Sequence, residues 1–203
     1  MSPDGLELYF SSTRTGGYGK TDAYVSTRAT TQDLWGDPVN LGEAVNSPDS
    51  EEVSSLSPDG LVMVFGSDRP GGFGTDEDGY MTRRASRSAP WQLAVNLGPV
   101  VNRAAYNMPL MSPDGSALHI ICTPNGIWTE MEAPIHPIVD FNADEVVDLA
   151  DLVLLIDNWG TDNTLYDIGP YAWGDGIVDI QDLKVFIEYW ELGNMQEDTE
   201  AVE

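Results

Sequence analysis

The sequence predicts a multidomain chain, with an all-β unit of repeated antiparallel blades followed by a small all-α unit built from a duplicated acidic loop and helix. Three observations lead there. Ser-Pro-Asp-Gly begins at Ser2, Ser57 and Ser112, two steps of 55 residues, and a period of that size points to propeller blades or a solenoid. A second, shorter period of 31 residues carries Asp144, Val147, Asp148, Asp151, Leu152, Ile156 and Trp159 onto Asp175, Val178, Asp179, Asp182, Leu183, Ile187 and Trp190. The two periods do not overlap, and a proline-containing join, Met131 to Val139, lies between them. The chain therefore divides into residues 1–138, residues 139–191 and an acidic tail, 192–203, which has almost no apolar periodicity and is expected to be disordered.

Composition narrows the function classes. With 41% hydrophobic residues among 203, packed cores are expected. Nine basic residues stand against 34 acidic ones, a formal charge of −25, which repels a polyphosphate backbone and excludes nucleic acid as a partner. Cys122 is the only cysteine, so it forms no intramolecular disulfide and reads as a small buried hydrophobe. No run approaches the roughly 18 apolar residues of a membrane span. Met1 leads straight into a turn motif, as in an internal piece of a longer, secreted polypeptide.

Within the first period, proline presets the first corner of a turn, aspartate bonds its own backbone and glycine takes positive φ, so a strand is expected to follow each copy. Leu6, Leu8 and Phe10 alternate with Glu7 and Tyr9, and Leu61 to Phe65 and Ala117 to Ile121 hold the same place later. Next come a glycine loop (Gly16, Gly17, Gly19; Gly71, Gly72, Gly74), a second strand, and the matching segments from Trp35 and Trp91. Residues 1–138 resemble the TolB-like, WD-type propeller repeat. That resemblance implies a partial β-propeller of two blades and part of a third. Closed propellers have about four to eight blades, so either further blades precede Met1 or several chains assemble, and the first is favoured.

The duplicated segment carries the metal chemistry. Asp140, Asn142, Asp144, Asp148 and Asp151 fall at positions 1, 3, 5, 9 and 12 of a twelve-residue loop leading into a helix, with Val146 as the carbonyl at position 7. This is EF-hand spacing: calcium takes six to eight hard oxygen ligands, and alternate positions of a curved loop supply them. Helix capping by Asp148 and Asp151 is the simpler alternative, but it needs one or two acids rather than oxygen at every ligand position. Glu145 replaces the usual glycine at position 6, and Asp151 the usual glutamate at position 12.

In the second half Asp175, Ile177, Asp179 and Asp182 take positions 5, 7, 9 and 12. Strict counting puts Tyr171 and Trp173 at positions 1 and 3, whereas Asp167 at position 1 requires four extra residues to bulge out. The segments Asp151 to Trp159 and Asp182 to Trp190 predict two packed helices of about ten residues, through Leu152, Leu155, Ile156 and Trp159 and their counterparts Leu183, Phe186, Ile187 and Trp190.

Residues 139–191 resemble the type I dockerin family in their duplicated F-hand halves with aspartate at position 12. The resemblance implies two bound Ca2+ ions and docking to a cohesin-like domain. The family's partner-choosing positions fall on Leu149 and Ala150, and on Ile180 and Gln181. It also implies an extracellular or cell-surface protein associated with polysaccharide-degrading machinery, with a polysaccharide or cell-envelope ligand on the first unit. The Ser-Thr pair of cellulosomal dockerins is absent from those positions.

An enzyme reading, a glycoside hydrolase or lyase with a site on the repeats, needs convergent carboxylates or a nucleophile beside a base. The recurring acids Asp4, Asp59 and Asp114 are turn residues, and His119 and His136 have no evident partner in the sequence. Arg69 to Gly74 lacks the context of a phosphate-binding loop and reads as a turn. Trp35, Trp91, Tyr18 and Phe73 are expected mainly to pack, with sugar stacking the alternative. A non-catalytic docking protein is the expectation; the enzyme, and a calcium-stabilised scaffold without a cohesin partner, are its alternatives.

Overall fold

The computed structural model describes residues 1–144, 146–163, 165–172 and 174–200, excepting the side chains of 191–200. Each Ser-Pro-Asp-Gly copy folds into the same closed turn. The Ser2 hydroxyl donates to Asp4 at 2.7 Å and accepts the Glu7 N–H at 2.8 Å. Ser57 does the same with Asp59 and Val62, and Ser112 with Asp114 and Ala117. Gly5, Gly60 and Gly115 complete the turns at φ of 73°, 78° and 77°, where a side chain is disfavoured. The Ser2 hydroxyl first, and then the Leu6 amide, hold the Asp4 carboxyl down at about 2. These aspartates are scaffolding, as their repetition predicted.

The strands form three antiparallel sheets. The first has β1 (Glu7–Ser12), β2 (Asp22–Thr27) and β3 (Val39–Asn40) in that order. The second has β4 (Glu51–Leu56), β5 (Val62–Ser67), β6 (Asp78–Arg83) and β7 (Val95–Asn96). The third is ordered β10-β9-β8, from β8 (Asn107–Met111), β9 (Ala117–Cys122) and β10 (Thr129–Pro134). A one-turn helix, α1 (Gly98–Val101), follows β7. Parallel bridges from Thr21 to Ser50 and from Glu77 to Tyr106 link one sheet to the next.

A core of Tyr9, Ala23, Val45, Met63, Phe65, Tyr80 and Trp91 joins the first two sheets. All six residues of β5 are buried, because sheets cover both its faces. Tyr9 meets Trp91 edge-on at 5.9 Å, and Phe65 stacks on Tyr80 at 5.9 Å. In β1 the core residue is thus Tyr9, and not the Leu6, Leu8 and Phe10 face that alternation suggests. Trp91 packs as expected and Trp35 lies under Arg28 at 4.2 Å, but Tyr18 and Phe73 are more than half exposed. Cys122 is buried.

The glycine loops close on acids. Asp22 accepts the Tyr18 and Gly19 N–H groups and the Asn40 amide, and Asp78 those of Phe73, Gly74 and Asn96. Asn46 then bonds Asn40 and Ala23, as Asn102 bonds Asn96 and Gly79. Loop amides already satisfied by a carboxylate cannot cradle a phosphate, which confirms the turn.

Chain contacts divide the backbone into Met1–Pro134 and Ile135–Glu203. The second unit holds α2 (Leu149–Asp157) and α3 (Ile180–Glu200), packed on Val139, Leu155, Ile168, Val178 and Phe186. No helix among the described residues is long and apolar enough to cross a membrane.

The predicted fold class is corrected on both counts. The β part consists of three small, separate sheets without closure, rather than an identifiable partial β-propeller. The predicted small all-α F-hand domain is not formed either: helix is a minor part of the chain, and long stretches of the second unit are turn and irregular backbone. The physical reason lies in the acidic loops, whose amides are spent on carboxylate side chains instead of helical ladders. Helix α3 also runs to Glu200, 21 residues against an expected ten or so, across most of the expected tail; residues 201–203 lie outside the described ones.

Among the described buried side-chain atoms, Glu77 Oε1 alone has no hydrogen-bond partner. Burial first, and then the Glu52 charge, push the Glu77 carboxyl from 4.5 up to about 7. The folded chain therefore holds a proton between those values that the unfolded chain releases, so this group favours folding increasingly as pH falls through 7 toward 4.5. Urea unfolding at pH 8 and pH 5 checks this. Glu77→Gln is expected to be more stable than the parent at pH 8, with the gap closing at pH 5.

Candidate metal centre

Both acidic loops hang on a buried aspartate at position 12. Asp151 Oδ1 accepts the N–H groups of Phe141 and Asn142 at 2.8 and 3.2 Å, and its Oδ2 accepts that of Asp148 at 3.0 Å. Asp182 repeats the pattern: Oδ1 takes the N–H groups of Ile168 and Gly169 at 2.6 and 2.8 Å, and Oδ2 that of Asp179 at 2.6 Å. Each aspartate is fully buried. Each preceding acid caps its helix, Asp148 through the Ala150 N–H and Asp179 through the Gln181 N–H, both at 2.7 Å. Capping, the simpler reading of Asp148 and Asp151, is thus present as a reciprocal box.

Phe141 and Ile168 play the same part, which puts Asp167 in the place of Asp140. A second match agrees: Asp144 N–H donates to Asp140 Oδ1 at 3.2 Å, and Asp175 N–H to Asp167 Oδ1 at 2.8 Å. The second loop therefore runs from Asp167 to Asp182 with four extra residues. Tyr171 does not hold position 1; Trp173, like Glu145, lies outside the described residues. Val146 and Ile177 also correspond, their N–H groups donating to Asp144 and Asp175 at 3.0 and 3.3 Å. Asn142 donates to Asp144 Oδ2 at 3.0 Å and has no counterpart side chain, because Gly169 follows Ile168.

Position 4 is left-handed in both loops, Ala143 at φ 59° and Gly174 at φ 76°. A Cβ on Gly174 would stand 2.1 Å from the Asp167 carboxyl carbon, so this glycine makes room for the acid. Shifting Ala143 by the 31-residue period identifies it, a signal that counting ligands alone passes over.

No three carboxylate, imidazole or thiol side chains among the described residues are gathered into a ready metal cage. The donor chemistry nonetheless fits a hard cation. Between Val139 and Asp182 there are eleven acids and no lysine, arginine or histidine, so no basic side chain within either loop offsets the charge. Burial first, and then the charges of Asp182 and Asp175, push the Asp167 carboxyl above its ordinary range. Every donor is an oxygen, as calcium prefers.

The partner positions differ among themselves. Leu149 and Ile180 are half exposed or more, at 64% and 50%, and Ala150 is also exposed. Gln181 is partly buried, and its amide donates to Asp175 at 3.0 Å, which ties it to the second loop. Leu149, Val153 and Ile156 form an open apolar stripe on α2, with Ile180 and Ile187 open on α3. Ile156 and Ile187, expected in the core, are therefore surface residues. His136 meets the Tyr189 hydroxyl at 3.1 Å and His119 meets Glu130 at 3.1 Å, so both histidines have partners.

No protein-family model matches the chain, and no curated protein matches it.

Proposed function

We propose that the chain is a non-catalytic extracellular or cell-surface protein whose second unit binds two calcium ions and docks to a cohesin-like partner. The first loop would hold calcium through Asp140, Asn142, Asp144, Val146, Asp148 and Asp151. The second would use Asp167, Asp175, Ile177, Asp179 and Asp182. Calcium, when bound, supplies the positive charge that these carboxylates lack from their own chain. The observation that carries the reading is the shared hydrogen-bond plan of the two loops around Asp151 and Asp182. The likeness of residues 139–191 to type I dockerins points the same way.

Docking is supported by the apolar stripe of Leu149, Val153 and Ile156 beside the first loop, with Ile180 and Ile187 as its counterpart. Gln181, held by Asp175, contributes less. The exposed rings of Tyr18 and Phe73, at the same place in successive repeats, support a polysaccharide or cell-envelope ligand for the first unit.

The test is capture of the full chain on a panel of immobilised cohesin domains in calcium and in chelator. Calcium-dependent capture is expected. The double variant Leu149→Asp and Ile180→Asp is expected to weaken it by about a hundredfold, as loss of two interface anchors does. Capture unaffected by chelator or by the double variant contradicts the reading.

A further inference from the structure

Away from the acidic loops, the first unit holds a pocket of about 220 Å³ lined by Ser50, Glu52, Asp68, Asp76, Glu77 and Tyr106. Glu52, Asp68 and Asp76 are exposed at its rim, while Glu77 is only 8% exposed and carries the unpartnered Oε1. The Glu77 backbone is held in place, its N–H donating to Ala105 and its carbonyl accepting from Asn107. The carboxyl lies against Gly66, where a Cβ would come within 1.6 Å of Oε1. The preceding repeat has Ser11 in place of Gly66 and Lys20-Thr21 in place of Asp76-Glu77. The second copy thus pairs an added buried acid with the glycine that admits it. The exposed Lys20 pairs with Asp49 and with Asp68 at the pocket's edge.

The Glu77 carboxylate lines this pocket with three further acids, and its buried charge is stabilised by a cation that brings its own N–H groups. We propose that this pocket binds an organic cation, an ammonium or guanidinium group carried by a small amine or by a lysine or arginine side chain of a partner. Size favours such a group over a bare metal ion. The volume is several times the roughly 30 Å³ of a water molecule. A guanidinium has five N–H donors in a planar fork and reaches several separated acceptors at once. Ser50 and Tyr106 complete the lining.

The experiment is calorimetric titration of the full chain with agmatine, and separately with a Gly-Arg-Gly peptide. It is run in calcium-containing buffer at about 0.15 M salt, which suppresses diffuse attraction to the acidic surface. One saturable equivalent is expected for at least one ligand, and the tighter of the two identifies the source of the cation. Glu77→Gln, nearly isosteric, and Glu52→Gln at the rim are each expected to weaken binding about tenfold, the loss of one charge-assisted bond. Glu43→Gln, an equal loss of charge at an exposed site, is expected to leave it unchanged. Unfolding midpoints of the variants separate misfolding from a lost site. Absence of saturable binding, equal weakening by all three variants, or saturable calcium binding at Glu77 without agmatine binding would overturn the proposal.

Discussion

Asp182→Ala is expected to unfold much of the second unit, with or without calcium. Its side chain accepts three backbone N–H groups, and those of Ile168 and Gly169 are buried. Truncation leaves these donors without acceptors. Orphaned buried donors cost about 1 to 3 kcal/mol each, so a total of about 3 to 5 kcal/mol is expected. Asp182→Asn retains one oxygen and much of the packing, so its metal-free fold should suffer less while calcium binding at the second loop fails. Thermal unfolding followed by circular dichroism, with and without chelator, separates the two losses. An Asp182→Ala chain that melts like the parent would remove the aspartate from its place as hub.

Glu51→Ala should have the largest effect in the first unit. The Glu51 side chain is fully buried and accepts from the Ser47 N–H and hydroxyl, the Ser67 hydroxyl and the Arg69 guanidinium. Arg69 stacks over Tyr80 at 4.6 Å and over Phe65 at 5.5 Å, inside the main aromatic core. Removing the acid strands a partly buried cation, and breaking such a pair costs about 3 to 5 kcal/mol. The double variant Glu51→Ala and Arg69→Met should recover much of the loss, because the replacement leaves no charge to bury. Urea unfolding measures both. A single variant as costly as the double would show that the lost hydroxyl and amide bonds matter more than the charge.

The periods of 55 and 31 residues are visible without a structure because copied segments preserve their turn chemistry. Ser-Pro-Asp-Gly specifies a turn through its own atoms, so position alone predicts it. Burial is less local. Leu6 to Phe10 is apolar on both sides of the strand, and the choice of Tyr9 for the core depends on Trp91, which is 82 residues away. Helix α2 offers two apolar stripes, Leu152 with Leu155 and Leu149 with Val153 and Ile156, and the partner elements decide which one is buried. The all-α expectation failed because long stretches of the second unit are turn and irregular backbone, with loop amides that belong to carboxylates. Asp22 and Asp78 escaped notice as hubs, although the glycines before them and the paired asparagines after them recur together in both repeats.

In the candidate metal centre, ligand spacing made the first loop legible, and the four-residue expansion of the second obscured its start. The paired amide contacts of Asp151 and Asp182, together with the Asp144 and Asp175 N–H bonds to Asp140 and Asp167, align Asp167 with Asp140.

Calorimetric calcium titration of the full chain, beside an Asp140→Ala and Asp144→Ala double variant, addresses both loops together. Two equivalents for the parent and one for the variant are predicted. A parent that binds no calcium would contradict the metal reading and leave the acidic loops as helix caps.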